Sequence, residues 1–202
     1  MKLYTAPATP FGRTVEMVAH ELGVHGDLTI VPTVVAPTKQ NEDYRAVAPL
    51  RKIPALQLDD GSVITDSPLI CEYLAYSAGN TSLFASGTVN EWPVKAAYAV
   101  ARGMADCGVA LRYETFLRPE ALRWDQWIAD QKLKLMSGVE YFAARVLPLS
   151  DTVTVADLSL AAALGYIDFR FSSLNWREGR AELAQWFAGM EGRASFRATK
   201  PD

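Results

Sequence analysis

A small α/β unit followed by an all-helical one is the fold class this chain predicts, and three observations predict it. Over residues 1 to about 76 the hydrophobic pattern alternates between the period of a strand and that of a helix. A stretch rich in small and polar residues, "TSLFASGTVNEWP", then breaks the pattern. From Pro93 onward the periodicity is helical, with almost no strand signal. The division places a first domain at 1–77, in β-α-β-α-β-β-α order, and a second at 88–202, a helical bundle.

Each element has a local reason. "KLYT" reads as a short strand, and Thr9-Pro10 as the turn into a helix. On that helix Val15, Val18, Ala19 and Leu22 share one face, and Gly23 supplies a left-handed cap. "LTIVPTVV" is a β-branched strand whose Pro32 suits an edge position. "NEDYRAVAP" is a short helix stopped before Pro49. "PALQLDDGSVIT" is a strand pair joined by a tight Asp60-Gly61 turn. "SPLICEYLAYS" is a helix with Ser67 as N-cap and Pro68 at its first position. In the second domain the helical stretches are "VKAAYAVARGMADCGVALRYETFL", "EALRWDQWIADQKLKLMSGVEYFAARVL", "VADLSLAAALGYIDFRF" and "AELAQWFAGMEG". "TVAD", residues 154 to 157, has the spacing of a capping box with aspartate as its third-position partner.

The totals exclude several functions. The 202 residues carry a formal charge of −3, half are hydrophobic and 21% are charged. No block of like charge is present, which argues against a nucleic-acid surface. The amino terminus lacks the apolar run of a signal peptide, and "LSLAAALGYI" is too short to span a bilayer. Cys71 and Cys107 lie far apart in predicted helices, and reduced thiols in a cytoplasmic protein are the expectation. His20 and His25 have no partner at ligand spacing, so no metal site is expected.

Three places carry chemistry. Two helix starts in the first domain, beside Thr9 and at Asp66-Ser67, present backbone N–H groups and a partial positive charge to an anion. A carboxylate at Asp66 beside that helix start matches the charge pair of an amino-acid head group. The third place is Lys52, Ile53 and Pro54, where a proline opens a strand. A cis bond there turns the backbone of Ile53 outward for an extended peptide, whereas a trans bond makes Pro54 an ordinary edge residue. Lys52 is either a second carboxylate contact or a solvated charge.

"KLYTAPATPFGRTVEMVAHELG", "APLRKIPALQLDDGSVITDSPLICEYL" and "TVADLSLAAAL" resemble the cytosolic glutathione transferases of bacterial type, those with a Ser/Thr-Pro-Phe turn. The resemblance spans the whole chain, with the motifs in the family's order and spacing. It implies a thioredoxin-like first domain, a helical second domain and a homodimer. It implies that Pro54 is cis and that Ile53 pairs with the cysteinyl backbone of glutathione. Asp66 and Ser67 would hold the γ-glutamyl group, with Lys52 near the glycyl carboxylate. The implied activity is transfer of the glutathione sulfur to a small, apolar electrophile, with no metal. The alternatives are a non-catalytic glutathione-binding or interaction protein and a glutathione-dependent isomerase or dehalogenase.

In that resemblance Thr9 faces the glutathione sulfur. A free thiol has a pKa of about 8.5, and a hydroxyl donating to the thiolate favours its ionised form. A threonine before Pro10 also caps a helix well, and the sequence leaves both roles open. Tyr4 stands one residue early for a catalytic tyrosine at the end of the first strand, with Thr5 as a fallback hydroxyl. Ala48 replaces the asparagine common before Pro49. Without a cysteine at position 9, thiol-exchange chemistry lacks its nucleophile. Phe11, Tyr98 and Met104 are the candidates for a hydrophobic second-substrate site. Arg13 is expected to be a structural ion-pair partner, with a contact to the negative charge of glutathione as the alternative, and most of Trp92, Tyr98, Tyr113, Trp124 and Trp127 to pack between helices.

Overall fold

Strand β1 (Lys2–Thr5) lies inside a four-stranded sheet of order β2-β1-β3-β4, with β2 at Thr29–Pro32, β3 at Ala55–Gln57 and β4 at Val63–Thr65. The structure, a computed structural model, describes residues 1–145 and 152–201. β1 and β2 run parallel, and β3 is antiparallel to both β1 and β4. β2 is an edge strand that ends at Pro32, where a missing N–H breaks no inner ladder. It is shorter than "LTIVPTVV" suggested, because the ladder with β1 runs out at Thr5↔Pro32. The turn between β3 and β4 is the expected one: Gly61 has φ +88°, and Asp60 Oδ1 accepts from Ser62 N–H at 2.8 Å.

Alternation along β1 sorts its side chains between two layers. Leu3 and Thr5 are buried, on the side of helices α1 (Pro10–Glu21) and α3 (Ser67–Ser77), which pack against each other. Tyr4 joins a cluster with Tyr44 of helix α2 (Glu42–Val47), Val35, Ile53 and Val63. Asn41 caps α2 by accepting from Tyr44 N–H at 3.0 Å. The segment after α3 is not a bare linker, since Leu83 and Phe84 are buried.

Helix α4 spans Glu91–Arg112 and continues into a π-helical turn at Tyr113–Leu117. It starts ahead of Pro93, because proline is tolerated in a first turn whose N–H groups lack helical partners. Helix α5 covers Asp125–Ala143, α6 Val155–Phe171 and α7 Ala181–Glu191. Val146 and Leu147, expected at the end of the α5 stretch, lie outside the described residues. α6 is apolar on nearly all sides and is buried at eleven positions, as a helix surrounded by others must be. Both bonds of its capping box form: Asp157 Oδ2 accepts from Thr154 N–H at 2.8 Å, and Thr154 Oγ1 accepts from Asp157 N–H at 3.4 Å. Trp92 and Trp124 are exposed rather than packed between helices.

The chain divides into two compact units, Met1–Glu91 with Ala194–Asp202, and Trp92–Arg193. The return at Ala194 brings the short helix α8 (Ala194–Ala198) onto α1. Arg13 makes that contact. Its Nη2 donates to Phe196 O at 3.1 Å and its Nε to Thr199 Oγ1 at 3.4 Å, and its guanidinium carbon stands 3.9 Å from the Phe196 ring centre. Arg13 is structural, as its place in the first helix suggested. Cys71 is buried and Cys107 partly so, and neither forms a disulfide among the described residues. Among the described residues no helix is long and apolar enough to cross a membrane.

Candidate functional site

Ladder register assembles the site. Tyr4 pairs with Ala55, and Ala55 pairs with Thr65. The turn after β1, the Ile53-Pro54 step before β3 and the Asp66-Ser67 step after β4 therefore leave the sheet at the same end. Three segments far apart in sequence become neighbours because two antiparallel pairings align their strand ends.

Thr9 has extended backbone (φ −88°, ψ 124°), and its carbonyl accepts the first helical bond, from Arg13 N–H at 3.0 Å. Its own amide donates to Ala6 O at 3.1 Å and closes the turn. Its side chain makes no cap bond to the helix. The reason lies at Gly12. A Cβ on Gly12 would stand 2.7 Å from Thr9 Cγ2 and 1.9 Å from Thr5 Oγ1. The methyl of Thr9, not its hydroxyl, thus covers the first turn. Of the two roles open to Thr9, capping is not the one its side chain adopts.

The fallback hydroxyls separate by face. Tyr4 turns to the α2 side, where its hydroxyl donates to Gln57 Oε1 at 3.2 Å and its ring lies 5.5 Å from that of Tyr44. Thr5 points to the α1 side but is 2% exposed, and its hydroxyl has no hydrogen-bond partner among the described residues. Enclosed beneath Gly12, it is closed to a ligand.

The Ile53–Pro54 bond is cis. Ile53 precedes the first ladder pair of β3 by two residues, so its backbone stands outside the sheet. The segment is pinned from α2: Tyr44 donates its hydroxyl to Lys52 O at 2.7 Å. Burial, with Tyr4 adding to it, pushes the Tyr44 phenol up to about 12. The Lys52 side chain is exposed.

α3 begins at Ser67, so its N-cap position is Asp66, one residue earlier than the sequence suggested. Asp66 has φ 73° and ψ 131°, and its side chain makes no cap bond. Positive φ at a non-glycine residue costs on the order of 1–3 kcal/mol and persists where the surroundings impose it. Asp66 is exposed while Ser67 is buried beneath the first turn.

The apolar candidates divide between the units. Phe11 is half-buried at the second position of α1. Tyr98 and Met104 belong to the helical unit, where both are buried. Met104 fills the space left by Gly138 on α5, where a Cβ would meet its Cγ at 2.4 Å. His20 and His25 stack with ring centres 3.8 Å apart, and burial is the main cause that lowers the pKa of His20. Among the described residues no group of three His, Cys, Asp or Glu side chains is placed to hold a metal.

Two site residues escaped the sequence. Gly12 carried a signal, since a glycine in the first turn is one that helix propensity disfavours. Tyr44 carried none beyond its place in a short helix.

A mixed four-stranded sheet of this order, with helices on both faces and an all-helical unit after it, is the architecture of a thioredoxin-like domain joined to a helical one. Residues 8–76 match the glutathione S-transferase N-terminal domain, and residues 125–189 match its C-terminal domain. The chain is 33% identical to a glutathione transferase family member from Pseudomonas fluorescens Pf-5, solved with bound glutathione, with a TM-score of 0.95 over 100% of this chain and 98% of that one. It is 30% identical to a glutathione S-transferase from Methylobacillus flagellatus KT, solved with glutathione bound, with a TM-score of 0.89 over 100% and 99% of the two chains. The GST-like protein YibF of Escherichia coli (strain K12) is 26% identical over 100% of this chain and 98% of its own length. The chain belongs to the glutathione S-transferase family.

Proposed function

We propose that this chain is a glutathione transferase that ionises the glutathione thiol and directs it at an electrophilic, apolar substrate. One observation carries the reading: the N-cap hydroxyl of Thr9 is not spent on its helix, and it stands where the sheet gathers Ile53-Pro54 and Asp66-Ser67. Structures of relatives with glutathione bound support the choice of ligand. In this assignment Asp66 accepts from the γ-glutamyl ammonium, and the α3 start with Ser67 receives its carboxylate. The backbone of Ile53 pairs with the cysteinyl residue, and Lys52 stands near the glycyl carboxylate. Thr9 then donates to the sulfur. The thiol proton leaves to solvent, the thiolate forms a bond to the electrophilic carbon, and the displaced group departs with its electron pair.

Phe11 serves the apolar side of this site, whereas Tyr98 and Met104 are packing residues of the helical unit. We assign the enzyme to the cytoplasm and to a homodimer, the commonest oligomer, which light scattering checks.

The test is Thr9→Val. With no cap bond to lose, the variant keeps its stability within about 0.5 kcal/mol. The bound thiol's pKa rises, each unit corresponding to about 1.4 kcal/mol of lost thiolate stabilisation. Thiolate absorbance titrated with glutathione bound reads that shift directly. Turnover falls at neutral pH and recovers at alkaline pH. An identical thiol pKa in the two proteins returns the chain to the non-catalytic glutathione-binding reading.

A further inference from the structure

The trans peptide unit between Lys52 and Ile53 is held from one side only. Its carbonyl oxygen, Lys52 O, accepts from the Tyr44 hydroxyl at 2.7 Å. Its N–H, that of Ile53, has no acceptor among the described residues. A trans peptide unit is a rigid plane in which C=O and N–H point in opposite directions. The bond that fixes Lys52 O therefore also fixes the Ile53 N–H, directed away from Tyr44.

Tyr44 is itself firmly placed. It is 3% exposed, its ring centre lies 5.5 Å from that of Tyr4, and Ala48 and Ala55 are buried in the same cluster. Both of its backbone groups are bonded: its N–H donates to Asn41 Oδ1 at 3.0 Å, and its carbonyl accepts from Ala48 N–H at 2.8 Å. Asn41 is tied in turn, donating from Nδ2 to Val34 O at 3.3 Å. The chain on the other side of the Tyr44–Lys52 bond has less to hold it. Arg51 takes φ 49°, a left-handed conformation that a non-glycine residue keeps where its surroundings impose it. For Lys52 and Ile53, the bond from Tyr44 is the one hydrogen bond among the described residues.

A fixed donor without a protein acceptor suits an extended ligand whose backbone brings a carbonyl. We propose that Tyr44 is a positioning residue for glutathione: its hydroxyl holds Lys52 O so that the Ile53 N–H is aimed at the cysteinyl carbonyl before the ligand arrives. The inference rests on the glutathione reading above and on no catalytic step. Such preorganisation is expressed as affinity, because an unfixed peptide plane has to be ordered by the ligand at a cost to binding. Tyr44 thus governs how tightly glutathione binds, whereas in the reading above Thr9 governs how readily the bound thiol ionises.

The test compares two hydroxyl deletions in the full chain. Tyr44→Phe keeps the ring and removes the bond to Lys52 O. Tyr4→Phe removes the neighbouring hydroxyl, which bonds Gln57 instead, and serves as the control. In calorimetry with reduced glutathione, Tyr44→Phe binds about tenfold more weakly and Tyr4→Phe binds as wild type does. At saturating glutathione the thiol pKa is the same in Tyr44→Phe and wild type. In a conjugation assay KM for glutathione rises, while kcat stays within about twofold. A role in folding alone lowers the melting temperature and leaves the affinity of the folded protein in place. In nitrogen-15-labelled protein the Ile53 amide resonance moves when glutathione is added to wild type. Absence of glutathione binding to wild type defeats the glutathione reading and the positioning role together. Equal affinity in wild type and Tyr44→Phe, with wild type binding, overturns the positioning role alone. An Ile53 amide that does not move as wild type is saturated overturns it even if Tyr44→Phe does not fold.

Discussion

Gly12→Ala tests the packing that holds Thr9 in place. On helix propensity alone the substitution is favourable, by up to about 1 kcal/mol. The structure predicts the opposite sign. The new Cβ falls 1.9 Å from Thr5 Oγ1, 2.7 Å from Thr9 Cγ2 and 3.2 Å from Thr5 Cβ. Both neighbours are β-branched and short, so neither has a flexible end that swings clear. Thr5 lies in β1, whose ladders with β2 and β3 prevent it from retreating by the ångström or so required. Overpacking costs about 1–3 kcal/mol, sometimes more, and at the upper end, which a contact as short as this one calls for, the net loss is about 2 kcal/mol. For a chain of this size that lowers the melting temperature by about 4–8 °C. Thr5→Ala removes the closest clash together with a buried, unpartnered hydroxyl, so it restores much of what Gly12→Ala loses. The two changes show a coupling energy of about 1 kcal/mol or more in a double-mutant cycle read by thermal and urea unfolding. A Gly12→Ala protein more stable than wild type, or strict additivity with Thr5→Ala, refutes the reasoning.

Three further outcomes follow from other contacts. Arg13→Met removes two hydrogen bonds and a stacked guanidinium from α8 and lowers stability by about 2–4 kcal/mol in calorimetric melting; an unchanged melting temperature excludes the clamp. Burial raises the pKa of Glu16, against an opposing effect of Arg13, so its contribution to stability is full below the unfolded carboxylate value and is lost as pH rises through the folded one. Glu16→Gln is therefore more stable than wild type at neutral pH, and urea midpoints measured across pH show the advantage vanishing at about pH 4 and below. Asp66→Asn keeps a residue that tolerates positive φ and removes only the charge, so a loss of glutathione affinity of about tenfold or more in calorimetry reports the ammonium contact.

What the sequence disclosed was local. Val15, Val18 and Ala19 are buried on α1, Gly61 takes its positive φ, and Thr154 with Asp157 forms both capping bonds, because periodicity and turn chemistry act within a few residues. What it withheld depends on distant partners. α8 is five residues long, too short to form on its own, and it owes its place to Arg13 and to Glu21, which accepts a hydrogen bond from Ser195 Oγ. α4 starts ahead of Pro93, which reads as a boundary in the sequence because its place inside a first turn shows only in the fold. Asp66 was legible as an acid before a helix, yet its positive φ was not, since nothing in Thr65-Asp66-Ser67-Pro68 calls for it.

The threonine at position 9 is the point where local and distant constraints meet. A Ser/Thr oxygen at a helix N-cap ordinarily turns inward to the second or third N–H, a cap worth about 1 kcal/mol. Here the β-branch changes the outcome. Cγ2 sits beside Gly12, a methyl contact that serine lacks, and the hydroxyl makes no cap bond to the helix. Gly12 is what makes the seat, and Thr5 beneath it is what keeps any larger residue out. The stability forgone at the cap is thus tied to the position of the hydroxyl at the sheet end where cis-Pro54 and Asp66 also emerge. A residue kept for capping alone gains nothing from this arrangement. In the proposed function, donation to the glutathione sulfur draws on all of it: the methyl, the glycine and the buried threonine of β1.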